Sequence, residues 1–389
     1  MPRHKRLVAF DFSGLDHLHL GNGQFRYCVD LLHGLARLTT DFRFVVVGSR
    51  LQPPDEIREI FGADGWRYQR FPPWPVKGGA YLHHARFSWW MRRERVALLH
   101  APHTFLPALS KVPAVVTIFD MMSELFPEYR ERVISRPYQL FRRAVQRRQP
   151  FAIAISQTTA DDVQRLWGLP SPRVRVVYLG IDPVRPPVGP DGLPRASSEK
   201  LAALAHQKFI LSPYNLEPRK NLRPLLVAMA TVRRTDPDLR LVLYGRAAIT
   251  REREALFEQD LRNTGLEDAV VRTAFVSEYD LAFLLAHSEL FVFPSLYEGF
   301  GLPVLEAMAA GVCTIARNRS AMAEVLDDTG VLIETKDPVL LASTIKGLLG
   351  DPGRRAALGS AAIARATLFS RDTMARGTVA AYWSALERQ

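Results

Sequence analysis

The chain has 389 residues, 47% hydrophobic and 23% charged, which suits about two domains with sizeable cores and excludes wholesale disorder. Its two cysteines, Cys28 and Cys313, lie far apart without metal-like spacing, which argues against a disulfide framework or a cysteine zinc site. The net charge of +11 falls entirely in residues 1–190, with 27 basic and 16 acidic side chains, while residues 191–389 hold 24 of each. The first half is therefore expected to face something anionic: nucleic acid, anionic lipid or a phosphorylated acceptor.

Met1 to Arg6 is basic, but the apolar run after it, Leu7 to Phe10, is cut off by Asp11, so no signal-peptide core forms. No run approaches the roughly 18 apolar residues of a membrane span. A cytoplasmic protein, peripheral at most on the inner face of a membrane, is the expectation.

In chain order, strands are predicted at Leu7–Phe12, Phe42–Gly48, Ala97–Ala101, Ala114–Phe119, Phe151–Ile155 and Val174–Leu179. A second series follows at Phe209–Ser212, Leu239–Tyr244, Val270–Phe275, Leu290–Phe293, Cys313–Ala316 and Gly330–Ile333. Most are continuous apolar runs rather than alternating ones, the pattern of strands buried on both faces of a parallel sheet. Their alternation with helix-length segments predicts an α/β chain with two doubly wound sheets. Between the series, Asp182 to Pro194 holds five prolines in thirteen residues, which excludes a helix or central strand. The expected division is 1–182, a Pro-rich linker 183–207, a second domain 208–370, and a helix at 371–389 packing back towards the first domain. Two such domains leave a cleft at their strand carboxyl ends.

The segment from Pro294 to Gly311 carries the most chemistry. Its glycines allow close backbone approach to a ligand, Pro303 suits a first helical turn and Gly311 a stop. Backbone N–H groups at that helix start would face an anion such as a diphosphate. Glu298 in the loop and Glu306 about one turn into the helix can accept hydrogen bonds from sugar and ribose hydroxyls; a corner with two solvated glutamates is the plainer reading. Glu217 to Asn221, after the strand Phe209–Ser212, puts Arg219 and Lys220 at a sheet mouth, where a fork and a point charge can neutralise a diphosphate. By itself, that pair equally describes a solvated basic helix start.

Gly21 and Gly23 follow the first strand and open a helix, permitting close approach of phosphate or acceptor, or simply forming a turn. After Ala114–Phe119, Asp120 is a polar candidate at the cleft. Phe87 to Arg95 sets Trp89 and Trp90 beside arginines, and Arg130, Arg132, Arg136, Arg142, Arg143, Arg147 and Arg148 follow. Tryptophan with arginine suits a headgroup interface; arginine-rich helices also make solvated faces, and paired tryptophans also make core.

These motifs together resemble the GT-B-fold retaining glycosyltransferases of family 4. Glu298 to Glu306 resembles that family's Glu-x7-Glu signature, and residues 218–221 resemble its diphosphate-binding element. Gly245, Phe275 to Ser277, and Asn318 to Ser320 with Glu324 follow in the family's order, closely over 209–370 and more loosely over 1–180. The resemblance implies a nucleoside diphosphate sugar donor, a UDP- or GDP-sugar of mannose-like type or a related hexose, and a glycan or lipid-linked acceptor in bacterial surface polysaccharide assembly. By it, Arg219 and Lys220 would hold the diphosphate, Glu306 the ribose and Glu298 the donor sugar. Backbone groups of Phe300, Gly301 and Leu302 would close over sugar and phosphate, Val276 would lie against the base, and Gly21 with Gly23 would form the Gly-rich loop. The family often carries a histidine where this chain has Phe119. Asp120 remains there, while His100 and His103 are substitutes by position only, each better read as structural.

No Asp-x-Asp cluster ends a strand, so no metal and no cofactor are expected, with Arg219, Lys220 and the helix dipole in a metal's place. A sugar-nucleotide epimerase and a non-catalytic scaffold share this architecture as alternatives. Nucleic-acid binding rests on charge alone, with no recognisable module.

Overall fold

The computed structural model describes residues 5–387 apart from 17, 19–21, 73–79, 103–105, 108–109, 127–128, 130–135, 183–187, 190–191 and 246–249. The chain divides into two compact units, Met1–Ile181 with Phe369–Gln389, and Asp182–Leu368.

The first unit holds β1 (Arg6–Asp11), β2 (Phe42–Gly48), β3 (Trp66–Arg70), β4 (Leu98–Ala101), β5 (Ala114–Ile118), β6 (Phe151–Ala154) and β7 (Val174–Val176). They form one parallel sheet in the order β3-β2-β1-β4-β5-β6-β7. Val8, Ala9 and Phe10 of β1 are completely buried, as continuous apolar runs require between two helical layers. Strand β3 falls outside the twelve predicted runs. It is an edge strand reading Trp-Arg-Tyr-Gln-Arg, none of it fully buried, held by register with β2 and by Trp66 stacked on Phe44 at 4.4 Å. The other edge strand, β7, stops at Val176, three residues before the predicted end.

The second unit holds β8 (Phe209–Pro213), β9 (Arg240–Tyr244), β10 (Val270–Arg272), β11 (Leu290–Phe293), β12 (Thr314–Arg317) and β13 (Val331–Ile333). All are parallel, in the order β10-β9-β8-β11-β12-β13. All six predicted strands are present; edge strand β10 ends at Arg272 rather than residue 275. Ile210, Leu241, Val292 and Ile315 bring the buried face of this sheet against Leu225, Met229, Leu341 and Ile345 from helices Leu222–Arg233 and Pro338–Leu349.

Each sheet reverses its strand order once, between β1 and β4 and between β8 and β11. A crevice opens outside the carboxyl ends of the strands at such a switch point, and ligands bind there. In the second unit the loops leading out of β8 and β11 flank it, and they carry residues 214–221 and 294–301.

Helix Gly23–Arg37 follows β1, capped by Asn22, whose side-chain oxygen accepts from Gln24 N at 3.0 Å and Phe25 N at 3.1 Å. Helix Arg371–Glu387 packs against it. A Cβ on Gly34 would stand 2.5 Å from the Arg371 carbonyl oxygen, so only glycine permits this approach. Arg371 pairs there with Asp30 at 2.5 Å.

Candidate active site

Beyond β8 the chain makes a 3-10 turn at Pro218–Lys220, and Asn221 takes left-handed angles, φ 56° and ψ 42°, before helix Leu222–Arg233 begins. The Asn221 side-chain amide donates to the carbonyls of Pro294 and Thr335, both at 3.2 Å, and the Thr335 hydroxyl donates to Pro294 O at 2.8 Å. Leu296 N donates to Arg219 O at 2.7 Å. Arg317 braces the second loop from below, donating to Leu296 O at 2.9 Å and Glu334 at 3.0 Å. The two loops at the switch point are thus laced into one surface.

On it lie the charges. Arg219 Nη1 and Lys220 Nζ each stand 2.7 Å from the same oxygen, Glu298 Oε1. Ser295 Oγ lies 2.6 Å from that oxygen, and Arg219 Nε reaches Glu217 at 2.9 Å. The side chains of Arg219, Lys220 and Glu298 are only 11%, 15% and 14% exposed, so their attraction is weakly screened. Burial alone would push the Glu298 carboxyl up. The charges of Lys220 and Arg219, and hydrogen bonds from Lys220 and Ser295, outweigh it and hold the group below the ordinary carboxylate value.

Gly301 then turns the chain at φ 97°, a conformation glycine alone adopts without strain, and caps helix Leu302–Ala309 with Pro303 in its first turn. The positive end of that helix begins four residues past Glu298, the residue that contacts Arg219 and Lys220. Phe300 and Gly301 are buried, Leu302 and Glu306 half-buried. The Glu298 N–H points at Ser320 Oγ, 3.4 Å away.

Val276 is half-buried and Phe275 is 64% exposed, just past β10. Both line a pocket of about 220 Å³ with Thr273, Ser198 and Lys200. Asp280 fixes its wall, accepting from Ser197 N, Ser197 Oγ and Ser277 Oγ, all at 2.8 Å. The structure therefore brings Arg219, Lys220 and Glu298 into contact, with Phe300, Gly301, Leu302 and Glu306 following on the same loop and helix, and sets Val276 past the end of β10, two strands from β8.

The remaining candidates belong to the first unit. Gly21 lies outside the described residues; Gly23 is the first residue of its helix. Asp120 Oδ1 accepts from Met122 N at 3.0 Å, a local turn contact at the exit of β5. Phe119 meets the Tyr27 ring edge-on at 5.1 Å. His100 is completely buried, 2.8 Å from the Tyr382 hydroxyl and 2.9 Å from the Thr117 hydroxyl, a structural histidine; His103 lies outside the described residues.

The basic face is only partly exposed. Trp90 is core, stacked near Phe87 at 5.6 Å, which leaves Trp89 as the exposed member of the pair at 59%. Arg142 pairs with buried Glu124 at 3.1 Å and Arg148 donates to the carbonyls of Pro107 and Val112 at 2.6 and 3.1 Å, while Arg143 and Arg147 are exposed. Arg130 and Arg132 lie outside the described residues. No helix among the described residues is long and apolar enough to cross a membrane.

Sequence reasoning assigned no role to Ser295, Glu217, Asn221 or Thr335, which orient the charged cluster. The available signal was position: three of them sit inside or beside the two motifs, at the carboxyl ends of β8 and β11.

Comparison with known proteins bears on the family and the fold. Residues 195–365 match the model of glycosyl transferases group 1, and residues 21–185 that of glycosyltransferase family 4. O-antigen chain mannosyltransferase B of Escherichia coli is 28% identical over 322 residues, 81% of either chain. A D-inositol 3-phosphate glycosyltransferase of Xylanimonas cellulosilytica is 30% identical over 311 residues, 77% of this chain and 70% of that one. The solved structure of Anabaena Alr3699/HepE in complex with UDP and glucose has a TM-score of 0.71 at 19% identity, covers 96% of this chain and 98% of that one, and shares the fold.

Proposed function

The chain belongs to the glycosyl transferases of group 1, family 4 type, with the GT-B fold of two Rossmann-like parallel-sheet domains, and from that premise we propose that it is a retaining hexosyltransferase. Its donor is a UDP- or GDP-sugar of mannose-like type, and its acceptor a glycan or lipid-linked saccharide in surface polysaccharide assembly. The likeness to an O-antigen mannosyltransferase supports the sugar and the setting, and the UDP of the HepE complex supports the donor class.

One observation carries the reading. Two largely buried cations, Arg219 and Lys220, converge on one oxygen of Glu298 at a topological switch point, on the loop that leads into a helix start. That is the electrostatic environment a departing diphosphate needs. In this reading Arg219 and Lys220 bind the diphosphate, Glu306 the ribose, Glu298 the sugar hydroxyls and Val276 the base. Backbone groups of Phe300, Gly301 and Leu302 close over sugar and phosphate. The Gly21–Gly23 turn and Asp120 serve the acceptor side. The acceptor attacks from the face the nucleotide leaves, and the departing phosphate takes its proton, so the protein contributes positioning and charge stabilisation.

The basic first half suits an anionic acceptor or membrane face on the cytoplasmic side, with Arg143, Arg147 and Trp89 as the exposed contacts. A panel of UDP-, GDP- and ADP-sugars, scored for nucleotide release with and without lipid-linked acceptors, tests the reading. Release that requires acceptor and depends on one donor is expected. Conversion of the sugar nucleotide without release would identify an epimerase, and no turnover with any pair would oppose transferase activity.

A further inference from the structure

The positive pair proposed to hold the donor is already engaged. Glu298 places a single carboxylate oxygen 2.7 Å from both Arg219 Nη1 and Lys220 Nζ, and Ser295 Oγ, completely buried, holds that oxygen at 2.6 Å. Glu217 takes the remaining edge of Arg219 at 2.9 Å. Two cations thus meet two carboxylates in a poorly screened site. A diphosphate brings further negative charge. It cannot sit against Arg219 and Lys220 while Glu298 keeps its present place, because like charges within a few ångströms repel strongly in such surroundings.

We propose that Glu298 is an internal anion that occupies the diphosphate site when the donor is absent and is exchanged out of it when the donor binds. This rests on the reading of Arg219 and Lys220 as the diphosphate site and adds a second task to the residue. Displaced from the cations, the carboxylate is available to hydroxyls of the sugar carried by the same donor. An intact sugar nucleotide therefore returns to Glu298 the hydrogen bonds that its phosphates remove. A free nucleoside diphosphate does not, so after transfer Glu298 competes for the cations and drives product off. Discrimination between donor and product is built into one side chain, with no lid required.

The exchange also moves a proton. Glu298 faces Lys220 and Arg219, with Glu217 behind the latter, across from its own loop, which contributes Ser295, and from the turn carrying Ser320. Burial raises its carboxyl and the cations lower it. When phosphates take over the cations, the lowering influence is removed and the proton affinity of the carboxyl rises.

Calorimetry of inorganic pyrophosphate, UDP and GDP with the full-length protein tests this in the wild type, Glu298→Gln and the double variant Arg219→Ala/Lys220→Ala, each checked for folding by circular dichroism. Glu298→Gln keeps the shape and removes the charge, so pyrophosphate and the bound nucleotide should bind about tenfold tighter, the scale of one charge-assisted contact. Titrations at pH 5 in two buffers of different ionisation enthalpy should show proton uptake in the wild type that is reduced in Glu298→Gln. The double variant should lose binding. Unchanged or weaker binding to Glu298→Gln, with binding lost in the double variant, overturns the exchange while leaving the diphosphate site standing. Wild-type binding by the double variant overturns both. Should Glu298→Gln fail to fold, Glu298→Asp, which withdraws the carboxylate from the cations, is expected to bind pyrophosphate more tightly than wild type, and equal or weaker binding overturns the proposal.

Discussion

His100 Nδ1 lies 2.8 Å from the hydroxyl of Tyr382, a residue 282 positions later in the chain. On its other side His100 meets Thr117, which also contacts the Tyr27 hydroxyl at 2.9 Å. This buried chain of polar groups runs from helix Gly23–Arg37 through β5 and β4 to helix Arg371–Glu387, and fastens the end of the chain to its first unit. Tyr382→Phe should therefore destabilise that unit by about 1–3 kcal/mol, since burial makes the lost hydrogen bond expensive. The measurement is simple because all six tryptophans, residues 66, 74, 89, 90, 167 and 383, belong to the first unit. Denaturation followed by tryptophan fluorescence should shift, and an unshifted transition would show that the contact contributes nothing.

The arginines of the basic face should separate into two groups. Arg148→Ala should cost about 1–3 kcal/mol in the same fluorescence assay, because two carbonyls lose their donor. Arg143→Ala/Arg147→Ala should leave stability unchanged but weaken flotation with anionic vesicles, an effect that high salt should mimic. Vesicle binding that ignores both the double change and salt would remove the membrane reading.

Acid should weaken the second unit through Glu298. Its folded carboxyl sits below the ordinary value, so its stabilising contribution is complete above the unfolded value near about 4.3 and is lost as pH falls through the lower folded one. Glu298→Gln should flatten this acid limb. Hydrogen exchange of the segment 290–306 between pH 5 and 3 is the readout; an identical pH dependence in wild type and variant would contradict it.

Glu306→Gln should lower affinity for the free nucleotide and the sugar nucleotide by similar factors, since both carry the ribose. A loss confined to the sugar nucleotide would move Glu306 to the sugar.

Gly301→Ala should reduce turnover and stability together. At φ 97° a Cβ is strained whatever the free space, and the strain of about 1–2 kcal/mol falls on the turn that aims the helix start at the site.

Much of this was legible in the sequence, and the reasons are physical. A strand buried on both faces must be apolar throughout, so both central sheets read directly. Strand β3 did not, because an edge strand buries too little to exclude arginine and glutamine. Arg219, Lys220, Glu298 and Glu306 stand out as candidates in the sequence because turn glycines, a helix-start proline and charges cluster at strand exits. The pairing of Glu298 with both cations was not, since it joins residues 78 and 79 positions apart through loops that only the sheet order makes neighbours. Nor could sequence sort Trp89 from Trp90, or Arg143 from Arg142, which differ only in which way one helix face turns.

Whether the second unit binds a nucleoside diphosphate at the crossing of the β8 and β11 loops is read most directly from hydrogen exchange of the full-length protein, with and without the nucleotide released in the donor panel. Slowed exchange concentrated in 214–222, 275–280 and 294–306 is expected. Protection that spares these segments and falls in the first unit instead would contradict it.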